Sequence, residues 1–130
     1  MLRVFVYGTL QPGQVNYAPY CGDRVLQAEA AQVQGLLFDL PLGYPAMTAG
    51  QGWVQGYLLS FPEDKILSSL DELEDYDPDR PPLENEYERC WVEVFDLELR
   101  SLGDAWVYRM PPEKVVHLGG KWLPQGYWPT

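Results

Sequence analysis

Pro62-Glu63-Asp64-Lys65-Ile66-Leu67-Ser68-Ser69-Leu70-Asp71-Glu72-Leu73-Glu74 is the one stretch of this chain that reads clearly as a helix. Proline suits a first helical position, Glu63 and Asp64 complement the positive end of the helix dipole, and Ile66, Leu67, Leu70 and Leu73 fall on one face. Asp77-Pro78 and Pro81-Pro82 then end it, because a proline disfavours the helical conformation of the residue before it. A polar, proline-rich loop follows to about Glu84.

Outward from the helix, the patterned segments read as strands. Upstream, Leu2 to Tyr7 is β-branched or aromatic at Val4, Phe5, Val6 and Tyr7, and stops at the tight loop Gly8-Thr9-Leu10-Gln11-Pro12-Gly13. Val33 to Leu40 is an apolar run ended by Pro41, Gly43-Tyr44-Pro45 marks a turn, and Trp53 to Phe61 leads into the helix. Downstream, Glu86 to Leu97 alternates, with Tyr87, Arg89, Trp91, Glu93 and Phe95 set against Cys90, Val92 and Val94; Ala105 to Tyr108 is a shorter strand. The tail from Pro111 to Thr130 carries little pattern and is expected to lie against the body without regular structure. One or two helices among about five to seven strands predict an α+β single domain with a mixed, strongly curled sheet. A doubly wound fold would need several more helices. No internal repeat is visible.

Composition narrows the functions open to such a domain. A chain of 130 residues suits one domain, and its five Trp and nine Tyr are too rich a supply of large side chains for a disordered protein. Nine Lys and Arg against nineteen Asp and Glu give a net charge of -10, which opposes nucleic acid and anionic membrane surfaces as partners. The residues from Met1 to Gly8 run straight into a strand pattern, so no secretion leader is expected, and no apolar window is long enough to span a membrane. A soluble, cytoplasmic protein is the expectation. Cys21 and Cys90 lack metal-ligand or redox spacing and are expected to be free thiols. His117 is the sole histidine and lies in the weakly patterned tail, so a Ser-His-Asp or Cys-His device would have to recruit it from there; one His and two unclustered Cys do not suit a zinc site, and no phosphate loop or dinucleotide fingerprint is present.

Two features could carry chemistry. At about 100° per residue, Glu74 lies seven positions after Leu67 and four after Leu70, so it shares the apolar stripe while Asp71, Glu72 and Asp75 point elsewhere. A carboxylate carried to the core side gains a raised pKa and becomes useful for proton transfer near neutral pH. The other reading is that Glu74 caps the stripe at the helix end and reaches water. The second feature is Tyr7-Gly8-Thr9-Leu10 at the end of the first strand, where glycine lets the backbone turn and leaves amide N–H groups to cradle a carboxylate. It also fits an ordinary strand-ending turn.

Taken in order, Val4-Phe5-Val6-Tyr7-Gly8-Thr9-Leu10 with Gly13 and Asn16, then Tyr44-Pro45-Ala46, Gly56, Leu70-Asp71-Glu72-Leu73-Glu74, and Tyr87 with Arg89, resemble the gamma-glutamyl cyclotransferase-like family. The likeness is to the small branch that includes gamma-glutamylamine cyclotransferase, and it covers residues 2 to 109. The resemblance implies a curled mixed sheet or barrel whose cavity lies between the Tyr7 to Leu10 loop and the helix. It implies further that the loop holds the gamma-glutamyl part of a small-molecule substrate, that Glu74 is the acid/base, and that neither cofactor nor metal takes part. Arg89 would orient a substrate carboxylate or the Glu74 loop, or else pair with one of the many acids; Tyr108 would line the cavity or merely pack. Asp71 and Glu72 match the motif, but helical phase makes them structural or solvated. The sequence departs from the family pattern at Asp75, where glycine is frequent, and at Gln11-Pro12, where basic residues are common. Against an enzyme stands the alternative of a non-catalytic binding or interaction protein that keeps the cavity. Oligomeric state is not legible.

Overall fold

The computed structural model describes residues 1–129. Five strands form a closed barrel: β1 (Leu2–Val6), β2 (Gln27–Asp39), β3 (Pro45–Phe61), β4 (Glu88–Phe95) and β5 (Ser101–Arg109). Their order is β3-β1-β5-β4-β2, with β2 pairing back onto β3, and a two-residue strand β6 (Lys121–Trp122) extends β2 at one end. The β1–β5 contact is parallel, with Val4 opposite Trp106, and the other pairs are antiparallel. Three short helices accompany the barrel: α1 (Tyr17–Tyr20), α2 (Ile66–Leu73) and α3 (Pro112–His117). The expected α+β single domain with a curled, mixed sheet is therefore a barrel.

Alternation along β1 divides the core. Phe5 and Tyr7 join buried residues contributed by all five barrel strands, among them Val33, Val54, Val94 and Val107, which fill the interior. Leu2, Val4 and Val6 face the other way, onto a second cluster that contains Ile66 and Leu70 of α2. Burying that apolar stripe is what stabilises so short a helix, since eight residues alone would not hold in water. At Gly56 the β3 backbone presses so close to β1 that a Cβ would lie 2.1 Å from the Val6 carbonyl oxygen, so only glycine fits.

The structure corrects three expectations. The helix starts at Ile66, not Pro62, because Phe61 is still paired with Leu2 and the next residues make the turn out of the sheet. Strands β2 and β3 are much longer than their apolar runs, since they form one coiled hairpin pairing Gln27 with Ser60 and Asp39 with Pro45. The tail is not irregular. Pro111 and Pro112 open α3, Val115 is buried beneath it, the Leu123 N–H donates to Leu37 O, and the Gln55 N–H donates to Gly126 O. The tail therefore straps the β2–β3 hairpin. Its last residue, Thr130, lies outside the described residues. Cys21 and Cys90 are both free, and burial pushes the Cys21 thiol up to about 11. No helix among the described residues is long and apolar enough to cross a membrane.

Candidate active site

Where β1 ends, the Tyr44-Pro45 turn and the C-terminus of α2 converge around a cavity of about 190 Å³. That is far more than the ~10–15 Å³ one water needs. Three buried tyrosines form its floor and tie its walls together. The Tyr7 hydroxyl donates to Tyr108 O at 2.6 Å and accepts from the Met47 N–H at 3.2 Å. Tyr87 donates to Pro45 O at 2.7 Å, and Tyr108 to Asp71 Oδ1 at 2.6 Å. Burial, chiefly, holds all three phenols well above their usual range, so they stay protonated and serve as fixed donors.

Glu74 caps the end of α2, its N–H bonded to Leu70 O at 2.9 Å, and its side chain lines the cavity. It is part-exposed, and the exposure is onto the cavity. Burial first, and the neighbouring Glu86 carboxylate second, push its pKa up to about 8. Asp75, which follows it, takes the left-handed φ of 53° that glycine adopts most easily. Arg80 bonds to its carbonyl and its carboxylate, which holds the helix end in that geometry.

On the opposite motif, the carbonyls of Gly8 and Thr9 accept from the Gln11 and Asn16 N–H groups, and Asn16 Nδ2 donates to Thr9 Oγ1 at 2.9 Å. Among the described residues, the N–H groups of Gly8, Thr9 and Leu10 meet no acceptor, although all three residues line the cavity. A Cβ on Gly8 would lie 2.8 Å from Pro45 Cγ, so the close approach of these two walls depends on glycine.

Tyr7, Gly8, Thr9, Leu10, Glu74 and Tyr108 thus meet in one cavity. Arg89 does not line it. Its Nε lies 3.0 Å from Asp71 Oδ1, without the alignment of a hydrogen bond, and its guanidinium packs 5.3 Å from the Tyr76 ring and 4.5 Å from that of Trp106. Arg89 pairs with Asp71, and Asp71, half-buried and not simply solvated, links it to the Tyr108 hydroxyl. His117 is exposed on α3, away from the cavity. Sequence reasoning passed over Glu86, whose Oε1 accepts from the Tyr44 hydroxyl on the cavity wall. Nothing in strand alternation marks a residue just before β4, and no sequence pattern brings it to the Tyr44-Pro45 turn.

A family model described as gamma-glutamyl cyclotransferase, AIG2-like, matches residues 4–130. The chain belongs to that family. The match includes the tail, beyond the 2–109 span of the motifs. A cyclotransferase-family relative in Halalkalibacterium halodurans, named "Putative gamma-glutamylcyclotransferase", is 51% identical over 100 residues, or 70% of this chain and 80% of the relative. The gamma-L-glutamyl-butirosin B gamma-glutamyl cyclotransferase of Niallia circulans is 36% identical over 76 residues, 58% of this chain. That alignment spans 47% of the Niallia protein's length. Among solved structures, an AIG2-like protein from Mus musculus superposes with a TM-score of 0.67 at 24% identity, covering 99% of this chain and 88% of the mouse chain. The cyclotransferase fold is shared along the whole described chain.

Proposed function

We propose that this protein is a cytoplasmic cyclotransferase that converts a gamma-glutamyl amine or gamma-glutamyl peptide to 5-oxoproline and a free amine, with Glu74 as acid/base. One observation carries the reading: a carboxyl group with a pKa near 8 shares its cavity with a loop of unengaged backbone N–H groups. The N–H groups of Gly8, Thr9 and Leu10 suit the substrate's α-carboxylate, and local donors outweigh the screened negative charge of the rest of the protein. The nucleophile belongs to the substrate. Held folded, the α-amine attacks its own γ-carbonyl carbon, a five-membered ring closes, and the amide C–N bond breaks.

Protons balance without a cofactor. Of the three on the substrate ammonium, one remains in the lactam N–H. Glu74 takes one to free the lone pair for attack and returns it to the departing nitrogen, while the other ends on the released amine or in water. A pKa near 8 lets one group do both tasks, because neither protonation state is costly to reach.

Incubation with a panel of gamma-glutamyl amines and dipeptides, followed by detection of 5-oxoproline, tests the proposal. At least one compound is expected to react, and Glu74→Gln to lower the rate by about 100-fold to 10,000-fold, the range typical of a lost general acid or base. Equal turnover by wild type and Glu74→Gln would refute the mechanism. A panel that binds but never reacts would leave a non-catalytic binding protein as the better description.

A further inference from the structure

The cavity holds two carboxylates, and the chemistry above uses only one. Its lining includes Glu74 and Glu86 but no Lys, Arg or His. Glu86 is fixed there: its Oε1 accepts from the Tyr44 hydroxyl, and its backbone N–H donates to Asp75 O at 3.1 Å, next to Glu74 along the chain. Its second carboxylate oxygen has no protein donor among the described residues. Exposure sets the depth of each part. Tyr7, Tyr87 and Tyr108 on the floor are 7%, 4% and 4% exposed, whereas Tyr44 and Glu86, like Glu74, are part-exposed and lie nearer the mouth.

Resting on the cyclotransferase reading, we infer that Glu86, held by Tyr44, is a cation subsite for the leaving group, so that the substrates are gamma-glutamyl amides whose departing half carries an additional ammonium group. The glutamyl half occupies the floor, where the loop N–H groups take its α-carboxylate, and the departing half points to the mouth. A positive group there meets an oriented carboxylate in a partly desolvated site, and the resulting charge-assisted hydrogen bond is about twice as strong as a neutral one. A departing amino acid would bring a carboxylate to the same place. It would find no cation and would face Glu86, a like-charge arrangement that rejects it. Tyr44 contributes by orientation, because its ring is packed 6.4 Å from that of Tyr87 and its hydroxyl holds one carboxylate oxygen while the other is presented.

Three substrates separate the possibilities: gamma-glutamyl-1,4-diaminobutane, its neutral counterpart gamma-glutamyl-n-pentylamine, and gamma-glutamylalanine. The expected order of kcat/KM is diamine, then neutral amine, then alanine, with the first step about 10-fold or more, the size of one charged hydrogen bond. In Glu86→Gln the diamine-to-neutral ratio is expected to fall to near one, and in Tyr44→Phe to an intermediate value. Taking the ratio within each variant cancels any effect of Glu86 on Glu74. A ratio near one in the wild type, or an unchanged ratio in Glu86→Gln, would overturn the subsite while leaving the cyclotransferase reading intact. If none of the three reacts, the wider panel above judges the cyclotransferase reading, and calorimetric binding of the same three compounds judges the subsite: tighter binding of the diamine, lost in Glu86→Gln, upholds it, and equal binding overturns it.

Discussion

At the scale of the residue, Glu74 is stabilised less than a carboxylate on the surface would be, and pH exposes the cost. In the unfolded chain the carboxyl titrates near its ordinary 4.5, whereas in the folded protein it holds its proton up to about 8. Between those values the folded state binds the additional proton, so its stability falls as pH rises from about 4.5 to about 8 and levels off beyond. Glu74→Gln removes this slope. Thermal melts of the two proteins should coincide near pH 4 and diverge steadily towards pH 8.5, with the Gln variant the more stable by on the order of a few kcal/mol, since a tenfold change in proton affinity corresponds to about 1.4 kcal/mol. Activity moves the opposite way: kcat/KM of the wild type should rise through an inflection near 8, where the base form appears. A melt difference that is flat across this range would mean that Glu74 is solvated and would contradict its raised pKa.

The element that carries Glu74 is α2, and its grip on the barrel is Leu70, which is fully buried. Leu70→Ala should cost about 2 to 5 kcal/mol, the range for a large apolar side chain removed from a packed core. A neutral result in denaturant unfolding would break the link between the apolar stripe and the cavity. This helix was legible because its period is strong over Ile66 to Leu73, and the same period carried Glu74 onto the stripe side. Strand β1 and its terminal glycine were legible for a similar local reason. The full extent of the β2–β3 hairpin was not. Ala28 to Gln32 carries no apolar alternation, and pairing with Gln55 to Leu59, not its own side chains, makes it extended; Ala49 to Gly52 falls at the register shift opposite Gln34 to Leu36, where neither pattern nor pairing marks a strand. Helix α3 is too short for a period to show, and it depends on burying Val115. Glu86 and Tyr44 meet across 42 residues of sequence, a proximity created by barrel closure that no local pattern contains.

For the whole molecule, closure is the decisive event. The ring is completed where β1 lies alongside β5, and the Tyr7 hydroxyl bonds to Tyr108 O beside that junction. Folding dominated by such distant pairings is slow for the size of the chain, so refolding followed by tryptophan fluorescence should take milliseconds to seconds, as in other barrel-like domains. Completion in tens of microseconds would contradict this. Synthesis imposes a longer delay. At ~5–20 residues per second the ribosome releases Val4 some ~5–20 s before its partner Trp106. Until then β1 can hold only to β3, leaving one edge of the newborn chain open to any strand that passes. The cavity's floor of Tyr7, Tyr87 and Tyr108 is incomplete before Tyr108 arrives, so a substrate can protect the finished protein but meets no whole pocket while the chain is being made.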